Sequence, residues 1–169
     1  CQPWVYTERN LQQRRPSLEI VQGVHKIPGV RWSAVYLIDD VRLTLVDTGP
    51  PWTAAKVARY VTSLGRRIDE IDAILMTHGH PDHIGSAPRI LERTDADVYA
   101  HVADTTYRPN RGRSLSYLDL FGTTAVPLPF LERAPVSRIV DDGDTLPAIG
   151  SVRVLHTPGH TPGSVSYLL

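Results

Sequence analysis

Residues 71–83 read IDAILMTHGHPDH, and both the fold and the chemistry of the chain can be approached from this stretch. Its first seven residues form an apolar run of buried-strand length. Its last six place three imidazoles and one carboxylate within a few residues of one another. Neutral imidazoles and carboxylates are the ligands that zinc and related divalent metals prefer. The stretch therefore predicts a metal site directly after a buried strand, and the alternative interpretation is a polar loop or an accidental histidine tract.

The spacing within HGHPDH separates its ligands into two groups. His78 and His80 are two residues apart, so their side chains point the same way in an extended segment. Pro81 favours an extended conformation at His80. Asp82 and His83 then fall near a turn or helix start, where a carboxylate is electrostatically favoured. One short segment can thus present two imidazoles to one metal and an Asp/His pair to a neighbouring position.

A second histidine segment lies far downstream, where residues 156–163 read HTPGHTPG. Its Pro-Gly pairs predict a rigid, turn-rich loop after an apolar strand, and such a loop can hold one imidazole in a fixed place. His160, flanked by glycine, is the better candidate for a metal ligand. His156 ends the predicted strand and is expected to support the ligands from behind or to be purely structural. His25 and His101 stand alone and are assigned no role.

Hydrophobic periodicity predicts an α/β protein, because strands and helices alternate over the first 100 residues. One apolar stripe predicts a helix that begins near Pro51 and ends at Gly65. A second helix is predicted over about 86–93, with Ser86 as its N-terminal cap. Asp39-Asp40 is a plausible hairpin turn. The predicted strands are 18–21, 24–27, 32–38, 41–46, 71–77, 98–100, 136–140, 152–156 and 165–169.

Length and charge narrow the class of protein. The chain has 169 residues, which suits one domain with a real core, and we expect that domain over 18–169 after a loosely held lead-in over 1–17. Its formal net charge is zero, so nothing argues for a nucleic-acid or anionic-membrane partner. No apolar run reaches the length of a membrane span. The compartment stays open: we favour the cytoplasm, although a leading Cys1 is also the residue that carries lipid in bacterial lipoproteins.

Residues 104–135 carry many prolines and glycines and are predicted to be irregular, with one short helix around 114–121. A loop of this length inside a compact domain is usually functional or mobile, so we expect it to line a substrate entrance. The candidate apolar wall consists of Tyr107, Tyr117, Phe121 and Phe130. The arginines Arg108, Arg111 and Arg113 are expected either to meet a substrate anion or to be solvated on the surface.

The chain resembles the metallo-β-lactamase-fold hydrolase superfamily in three segments that occur in the family's order. These segments are LVDTG at 45–49, HGHPDH at 78–83 and HTPGHTPGS at 156–164. The resemblance extends from about residue 18 to residue 169. It implies an αββα sandwich with a metal site at one edge of its two sheets. It also implies roles for particular residues: His78, His80 and His160 hold the first metal, Asp82 and His83 belong to a second metal position, and Asp47 lies buried beneath the site.

The family pattern continues past the strand that matches residues 165–169, with a further Asp and a later His that help to bind the second metal. These residues and most of the second half of the sandwich are missing from the chain. Half of a two-sheet core would then be exposed. We expect the chain to be part of a longer polypeptide, or else two copies to cover one another as a homodimer; a natural or engineered truncation is the third explanation.

The resulting hypothesis is metal-assisted hydrolysis of a small ester, thioester, lactone or amide. A zinc-type cation lowers the pKa of a bound water toward about 7, and Asp82 would orient that water and take up its proton. Because Asp82 and His83 alone are too few ligands, we expect one strong zinc site and a weak or empty second one; iron and manganese are the alternative metals. Two other functions stay open: an iron enzyme similar to the persulfide dioxygenases, and a truncated member that binds metal or a partner without turnover.

Overall fold

The structure is a computed structural model that describes residues 19–105, 135–146 and 151–169. Several of the predictions lie outside these ranges, among them the lead-in over 1–17 with Cys1 and the short helix around 114–121. The side chains expected at the substrate entrance also lie outside them, namely Tyr107, Arg108, Arg111, Arg113, Tyr117, Phe121 and Phe130. Within the described ranges, none of the helices has the length and apolar character needed to cross a lipid bilayer.

A mixed sheet of seven strands, counted over the described residues, runs through the centre of the molecule with its strands in chain order. The first four strands form an antiparallel meander, whereas β4 to β7 run parallel to one another. The strands are β1 (Glu19–Val21), β2 (Val24–Lys26), β3 (Tyr36–Asp39), β4 (Leu43–Val46), β5 (Ile71–Leu75), β6 (Asp97–His101) and β7 (Arg138–Val140).

A smaller antiparallel sheet and a set of short helices complete the described fold. The small sheet has the order β10, β9, β8, with β8 (Thr145–Leu146), β9 (Val152–His156) and β10 (Val165–Leu168). The helices are α1 (Ala54–Ser63), α2 (Pro81–Ile84), α3 (Ala87–Leu91) and α4 (Val102–Thr105), and a 3₁₀ turn covers Ile68–Glu70. The alternation of strands and helices confirms the α/β prediction.

The large sheet lies between a helix layer and the small sheet. Consecutive side chains of a strand point to opposite faces, and β5 uses both: Ile74 clusters with Val57 and Ile90 of the helices. Leu75 instead clusters with Val152 of β9. Burying an aliphatic side chain of this kind contributes roughly 1.5–3 kcal/mol, so both faces of the sheet stabilise the stack. The described layers, helices then sheet then sheet, are three successive layers of the expected αββα sandwich.

Two details of the helix prediction are wrong. Helix α1 begins at Ala54 rather than at Pro51. Ser86 does not cap its own helix; its side-chain oxygen instead accepts hydrogen bonds from the backbone N–H groups of Thr53 and Ala54, at 2.9 and 3.1 Å. Ser86 thus supplies an acceptor for N–H groups at the start of α1, from more than thirty residues away. Local sequence patterns do not reveal a cap that another part of the chain supplies.

The strand predicted over 32–38 is shorter than expected. It begins only at Tyr36, and Trp32 has a positive φ of 76°, which a strand does not accommodate. The hairpin turn that follows is confirmed, since β3 pairs with β4 in antiparallel register from Tyr36 to Asp39. Residues 28–35 therefore form part of the loop between β2 and β3.

The parallel part of the large sheet determines where the polar side chains gather. The carboxyl ends of parallel strands meet at one edge, where α/β proteins place their ligand sites. Asp47 follows β4, His78 follows β5 and Asp104 follows β6. Strand β10 is fixed to the same edge because the N–H of Val165 donates to the carbonyl of Thr77 at 2.9 Å. The loop before β10, which carries His160, is thereby brought to the end of β5.

Candidate metal centre

Two loops supply the histidines of the site, and we call them the first histidine loop (residues 76–83) and the second histidine loop (residues 157–164). In the first loop His80 is extended, with φ −78° and ψ 144°, and Pro81 begins α2 directly after it. This conformation is the one that the His-Pro pair predicts. The second loop is a chain reversal between β9 and β10, with the N–H of Thr157 donating to the carbonyl of Ser164 at 2.9 Å.

The two loops bring His78, His80 and His160 together. One ring nitrogen from each histidine lies within 4.8 Å of the other two, which makes these residues a group that could hold a metal ion. His80 Nδ1 and His160 Nε2 lie 3.0 Å apart. Two nitrogens at about 2.0–2.1 Å from one tetrahedral zinc ion would lie roughly 3.3 Å apart. The separation of His80 and His160 is therefore close to that of two nitrogens on one metal ion, and His78 lies within 4.8 Å of both.

His78 shows the clearest sign of a missing ligand partner. Its Nε2 is buried and makes no hydrogen bond within the described part of the chain. Burial above all, and then the neighbouring histidines His83, His80 and His160, lower its pKa to about 3. The ring is therefore neutral near pH 7, as a metal ligand must be. A buried nitrogen with no partner is costly unless something binds it.

The hydrogen bonds of Thr77 determine which nitrogen of His78 carries the proton. The Thr77 hydroxyl donates to Asp47 Oδ2 at 2.7 Å. The Oγ1 atom of Thr77 also lies 3.1 Å from His78 Nδ1. Because a hydroxyl has one proton and it goes to the carboxylate, Thr77 can only accept from Nδ1–H. The lone pair of His78 is consequently on Nε2, the buried nitrogen that makes no hydrogen bond within the described part of the chain.

Asp47 supports the first histidine loop from below. It is 3% exposed and has a positive φ of 57°, a conformation in which Asp and Asn are enriched. Its carboxylate accepts hydrogen bonds from the N–H of Thr77 at 2.9 Å and from His83 Nδ1 at 2.7 Å, besides the Thr77 hydroxyl. The next two residues, Thr48 and Gly49, donate their backbone N–H groups to the carbonyl of His83. The Asp-Thr-Gly turn thus fixes both ends of the loop.

Asp82 and His83 lie beside the three histidines. Asp82 is buried in the first turn of α2, and its Oδ2 is 3.6 Å from His83 Nε2. Burial alone would lower the pKa of His83, but the hydrogen bond to Asp47 and the charges of Asp47 and Asp82 outweigh it, so the pKa is raised. In the described ranges, His78, His80 and His160 are the one group of three ligands within 4.8 Å of each other. Asp82 and His83 stand outside that group.

His156 is not brought to the three histidines. Its ring stacks on His101 with centroids 4.1 Å apart, and its Nε2 donates to the carbonyl of Pro162 at 2.9 Å. The hydrogen bond to Pro162 ties His156 to the second histidine loop. His101, which received no role, is buried beside it and lies 3.5 Å from a carboxylate oxygen of Asp141.

Sequence reasoning missed Asp104 and a pair of tryptophans. The Asp104 carboxylate accepts hydrogen bonds from both histidine loops, and its position after β6 was the only available signal. Trp32 and Trp52 meet edge to face with ring centroids 5.4 Å apart, and they are 62% and 49% exposed. Ser33, beside Trp32, donates its hydroxyl to the carbonyl of Asp82. The aromatic pair therefore belongs to loops that adjoin the site.

Comparison with known sequences supports the same family. The family model of the metallo-beta-lactamase superfamily matches residues 29–169. The chain is 33% identical over 165 residues to the probable metallo-hydrolase YflN of Bacillus subtilis, covering 88% of this chain and 60% of that relative. It is 30% identical over 139 residues to the probable metallo-hydrolase YqgX of the same organism, covering 82% and 60%. The chain thus spans about three fifths of the length of these relatives.

Comparison with solved structures agrees. The metallo-beta-lactamase of Cronobacter sakazakii with a HARLDQ motif matches with a TM-score of 0.72 and 26% identity, over 88% of this chain and 55% of that structure. The class B3 di-zinc metallo-beta-lactamase LRA-12 from an Alaskan soil metagenome matches with a TM-score of 0.69 and 29% identity, over 86% and 53%. The predicted metallo-β-lactamase fold is confirmed, and the chain spans little more than half of each structure.

Proposed function

The chain belongs to the metallo-beta-lactamase superfamily, and from this premise we propose that it is a zinc-dependent hydrolase of a small ester, thioester, lactone or amide. The observation that carries the proposal is the group of His78, His80 and His160, whose ring nitrogens lie within 4.8 Å of one another. The buried Nε2 of His78, which has no hydrogen-bond partner among the described residues, supports the proposal that this group binds a ligand. Three nitrogen ligands leave one tetrahedral position open, which a catalytic zinc site requires.

The roles of the surrounding residues follow from their contacts. A zinc ion bound there supplies Lewis-acid chemistry, which acidifies water and polarises a carbonyl. Asp82, buried beside the three histidines, orients the attacking water and accepts its proton through a carboxylate oxygen. Asp47 holds Thr77 and His83 in place, and through Thr77 it keeps the proton of His78 on Nδ1. Supporting contacts of this kind orient ligands and raise their basicity.

The second metal position is proposed to be weak or empty. Asp82 and His83 offer two ligands, and His83 has a raised pKa because Asp47 and Asp82 favour its protonated form. A metal at that position would have to compete with a proton for His83. We expect one tightly held ion per chain by elemental analysis, and two tightly held ions would contradict the proposal.

The exposed pair of Trp32 and Trp52 is proposed to contact the substrate. Exposed aromatic rings that meet edge to face offer a rigid apolar surface. Their loops adjoin the site, since Ser33 donates to the carbonyl of Asp82 and Ser86 donates to the carbonyl of Pro50. A small substrate with an apolar portion would therefore place its reacting carbonyl beside Asp82 and its apolar portion against the rings.

The small sheet is proposed to receive further strands. Strand β10 lies at its edge in the described residues, and Leu168 and Leu169 are 54% and 61% exposed. An unpaired, apolar edge strand invites pairing with another strand. Those strands come either from a longer polypeptide or from a second copy of the chain. Light scattering tests the second source, because a stable dimer of this chain supports it and a monomer contradicts it.

The test of function combines metal analysis with a substrate panel. The purified protein is assayed against a thioester, a lactone, a carboxylic ester and nitrocefin, with and without a chelator. We expect about one zinc per chain and chelator-sensitive turnover of at least one substrate class, lost in His78→Ala. His25→Gln is the matched control, because His25 lies away from the site and faces Tyr60. Tightly bound iron in place of zinc would overturn the assignment of the metal.

A chain that binds metal without turnover is the second candidate. One observation favours it: Asp82 and His83 stand outside the compact group of ligands. Stoichiometric zinc together with no turnover of any substrate in the panel would support this candidate and would contradict the hydrolase.

A further inference from the structure

Asp104 lies at the carboxyl end of the parallel strands, in the short helix α4 that follows β6. Its carboxylate accepts three hydrogen bonds. The N–H of Gly79 donates to Oδ2 at 2.7 Å, the hydroxyl of Thr161 donates to Oδ2 at 2.8 Å, and the N–H of Gly163 donates to Oδ1 at 2.8 Å. One donor belongs to the first histidine loop and two belong to the second. The carboxylate therefore lies between the loops and is bonded to both.

Two of the three donors are direct neighbours of the histidines, and the third, Gly163, lies three residues after His160. Gly79 stands between His78 and His80, and Thr161 follows His160 directly. A displacement of either donor would move the adjacent imidazole. The loops are also joined at their bases by the backbone hydrogen bond from Val165 to Thr77. Asp104 joins them close to the histidines themselves, where His80 Nδ1 and His160 Nε2 are 3.0 Å apart.

The second histidine loop is packed closely against Asp104. A Cβ atom added to Gly163 would lie 2.6 Å from both the backbone nitrogen and Oδ1 of Asp104, which is too close for any side chain. Thr161 is buried, and its hydroxyl also lies 2.9 Å from the hydroxyl of Ser164. The loop is therefore held by its buried residues, whereas His160 is exposed. Its imidazole depends on its neighbours for its position.

We propose that Asp104 is the positioning residue that sets the separation of the two histidine loops, and with it the geometry of the three imidazoles. The inference rests on the proposed metal site. Hydrogen bonds to a carboxylate are about twice as strong as those between neutral groups, so one side chain can hold both loops. Asp104 is not itself a ligand, since it stands outside the group of His78, His80 and His160 and its carboxylate is engaged by the loops.

The test measures metal binding rather than turnover. Zinc affinity is measured by competition with a chromophoric chelator, and the visible absorption spectrum of bound Co²⁺ reports the ligand geometry. In Asp104→Asn the side chain keeps its size but loses its charge and one acceptor. We expect a 10- to 100-fold loss of zinc affinity, about the range seen for residues that orient metal ligands, and an altered Co²⁺ spectrum.

The matched control is Asp97→Asn. Asp97 lies on β6, close to Asp104 in the chain, and its carboxylate accepts hydrogen bonds from Ser137 and Arg138 of the β7 segment. It touches neither histidine loop through these bonds. We expect this variant to lose some stability and to keep its zinc affinity within about twofold and its Co²⁺ spectrum unchanged. The comparison shows whether the loss of zinc affinity comes from the displaced loops or from removing any carboxylate that accepts several hydrogen bonds.

Thr161→Val serves as a second probe should Asp104→Asn fail to fold. It removes one donor and leaves the carboxylate, so we expect a smaller loss of affinity, roughly 3- to 10-fold, with a spectral change in the same direction. The double variant should be little worse than Asp104→Asn, because both substitutions remove the same contact.

Two results would overturn the inference, and they differ. If the unsubstituted protein binds zinc but Asp104→Asn and Thr161→Val bind it equally well with the same Co²⁺ spectrum, Asp104 does not position the loops, and the metal site stands. If the unsubstituted protein binds neither zinc nor Co²⁺, the proposed metal site fails and the inference fails with it.

Discussion

In the first histidine loop His78 is buried, and its supports come from Asp47 and Thr77 beneath it. In the second histidine loop the burial is reversed: His160 is exposed, whereas Thr161 and Gly163 are buried against Asp104. The first loop presents a ligand, His78, that these contacts already orient. The second loop presents His160, whose position depends on the hydrogen bonds of Thr161 and Gly163 to Asp104. Substitutions in the two loops should therefore fail in different ways.

The largest effect is expected from removing a ligand of the first loop. We predict that His78→Ala lowers zinc affinity by more than about 100-fold, because it deletes a pre-oriented nitrogen, and the loss should exceed that of a supporting residue. His160→Ala should cost less, since water can reach the exposed position and serve as a ligand. Competition titration with a chelator measures both. An equal or larger loss in His160→Ala would contradict the distinction between the loops.

A smaller effect is expected from the carboxylate beneath the first loop. Asp47→Asn keeps a residue type that tolerates a positive φ, so it tests the charge and the hydrogen bonds rather than the backbone. We predict a 10- to 100-fold loss of zinc affinity. We also predict that the metal-free protein, prepared with a chelator, loses about 3 kcal/mol of unfolding free energy, because the amide N–H of Asn would face a donor of Thr77 or His83. Urea unfolding measures the second quantity. The exposed Asp95→Asn is the control and should change neither.

A third prediction concerns the aromatic pair, which belongs to neither loop. Trp52→Ala removes one of two exposed rings that meet at 5.4 Å. We predict that KM rises about 3- to 10-fold for substrates with an apolar portion while zinc affinity stays unchanged, since apolar contacts of this kind are worth about 0.5–1.5 kcal/mol. Val41→Ala, at an exposed hairpin turn, is the matched control. A loss of zinc affinity in Trp52→Ala would place the ring in support of the metal instead.

The smallest effect is expected at the base of the second loop, where Tyr167 donates its hydroxyl to the carbonyl of Met76 at 2.9 Å. Tyr167→Phe should cost about 1 kcal/mol of unfolding free energy near pH 8. Burial, and next the charge of Asp47, raise the pKa of Tyr167. Above pH 10 the unfolded phenol loses its proton while the folded one keeps it, so stability falls as pH rises, by at most about 1.4 kcal/mol per pH unit.

Denaturant unfolding at pH 8 and at pH 11 measures both parts of this prediction. The difference in stability between the two pH values should be smaller in Tyr167→Phe than in the unsubstituted protein. An equal difference in the two proteins would show that Tyr167 titrates alike in the folded and unfolded states. Zinc affinity should change little, because β10 is also tied to the first loop through Val165 and Thr77.

Features that depend on residues close in the chain could be predicted from the sequence, and features that depend on distant residues could not. The apolar run of β5, the extended His80 and a turn or helix start near Asp82 are local properties, and the structure confirms them. The cap that Ser86 supplies to α1 was misassigned, because its partners are more than thirty residues away. Asp104 was missed for the same reason, since its three partners lie 25 to 59 residues from it. For such a residue the local sequence gives at most its position after a strand and does not identify its partners.

By itself, the sequence determined the α/β class, the family resemblance and the ligand types. These follow from residue spacing and hydrophobic periodicity, which are visible within short stretches of the chain. The tertiary structure decided which atoms meet. It placed the His160 ring nitrogen 3.0 Å from that of His80, left the lone pair of His78 on its buried Nε2, and stacked His156 on His101. The physical reason is that a ligand site needs positions accurate to fractions of an ångström, and these come from hydrogen bonds across strands that only folding brings side by side.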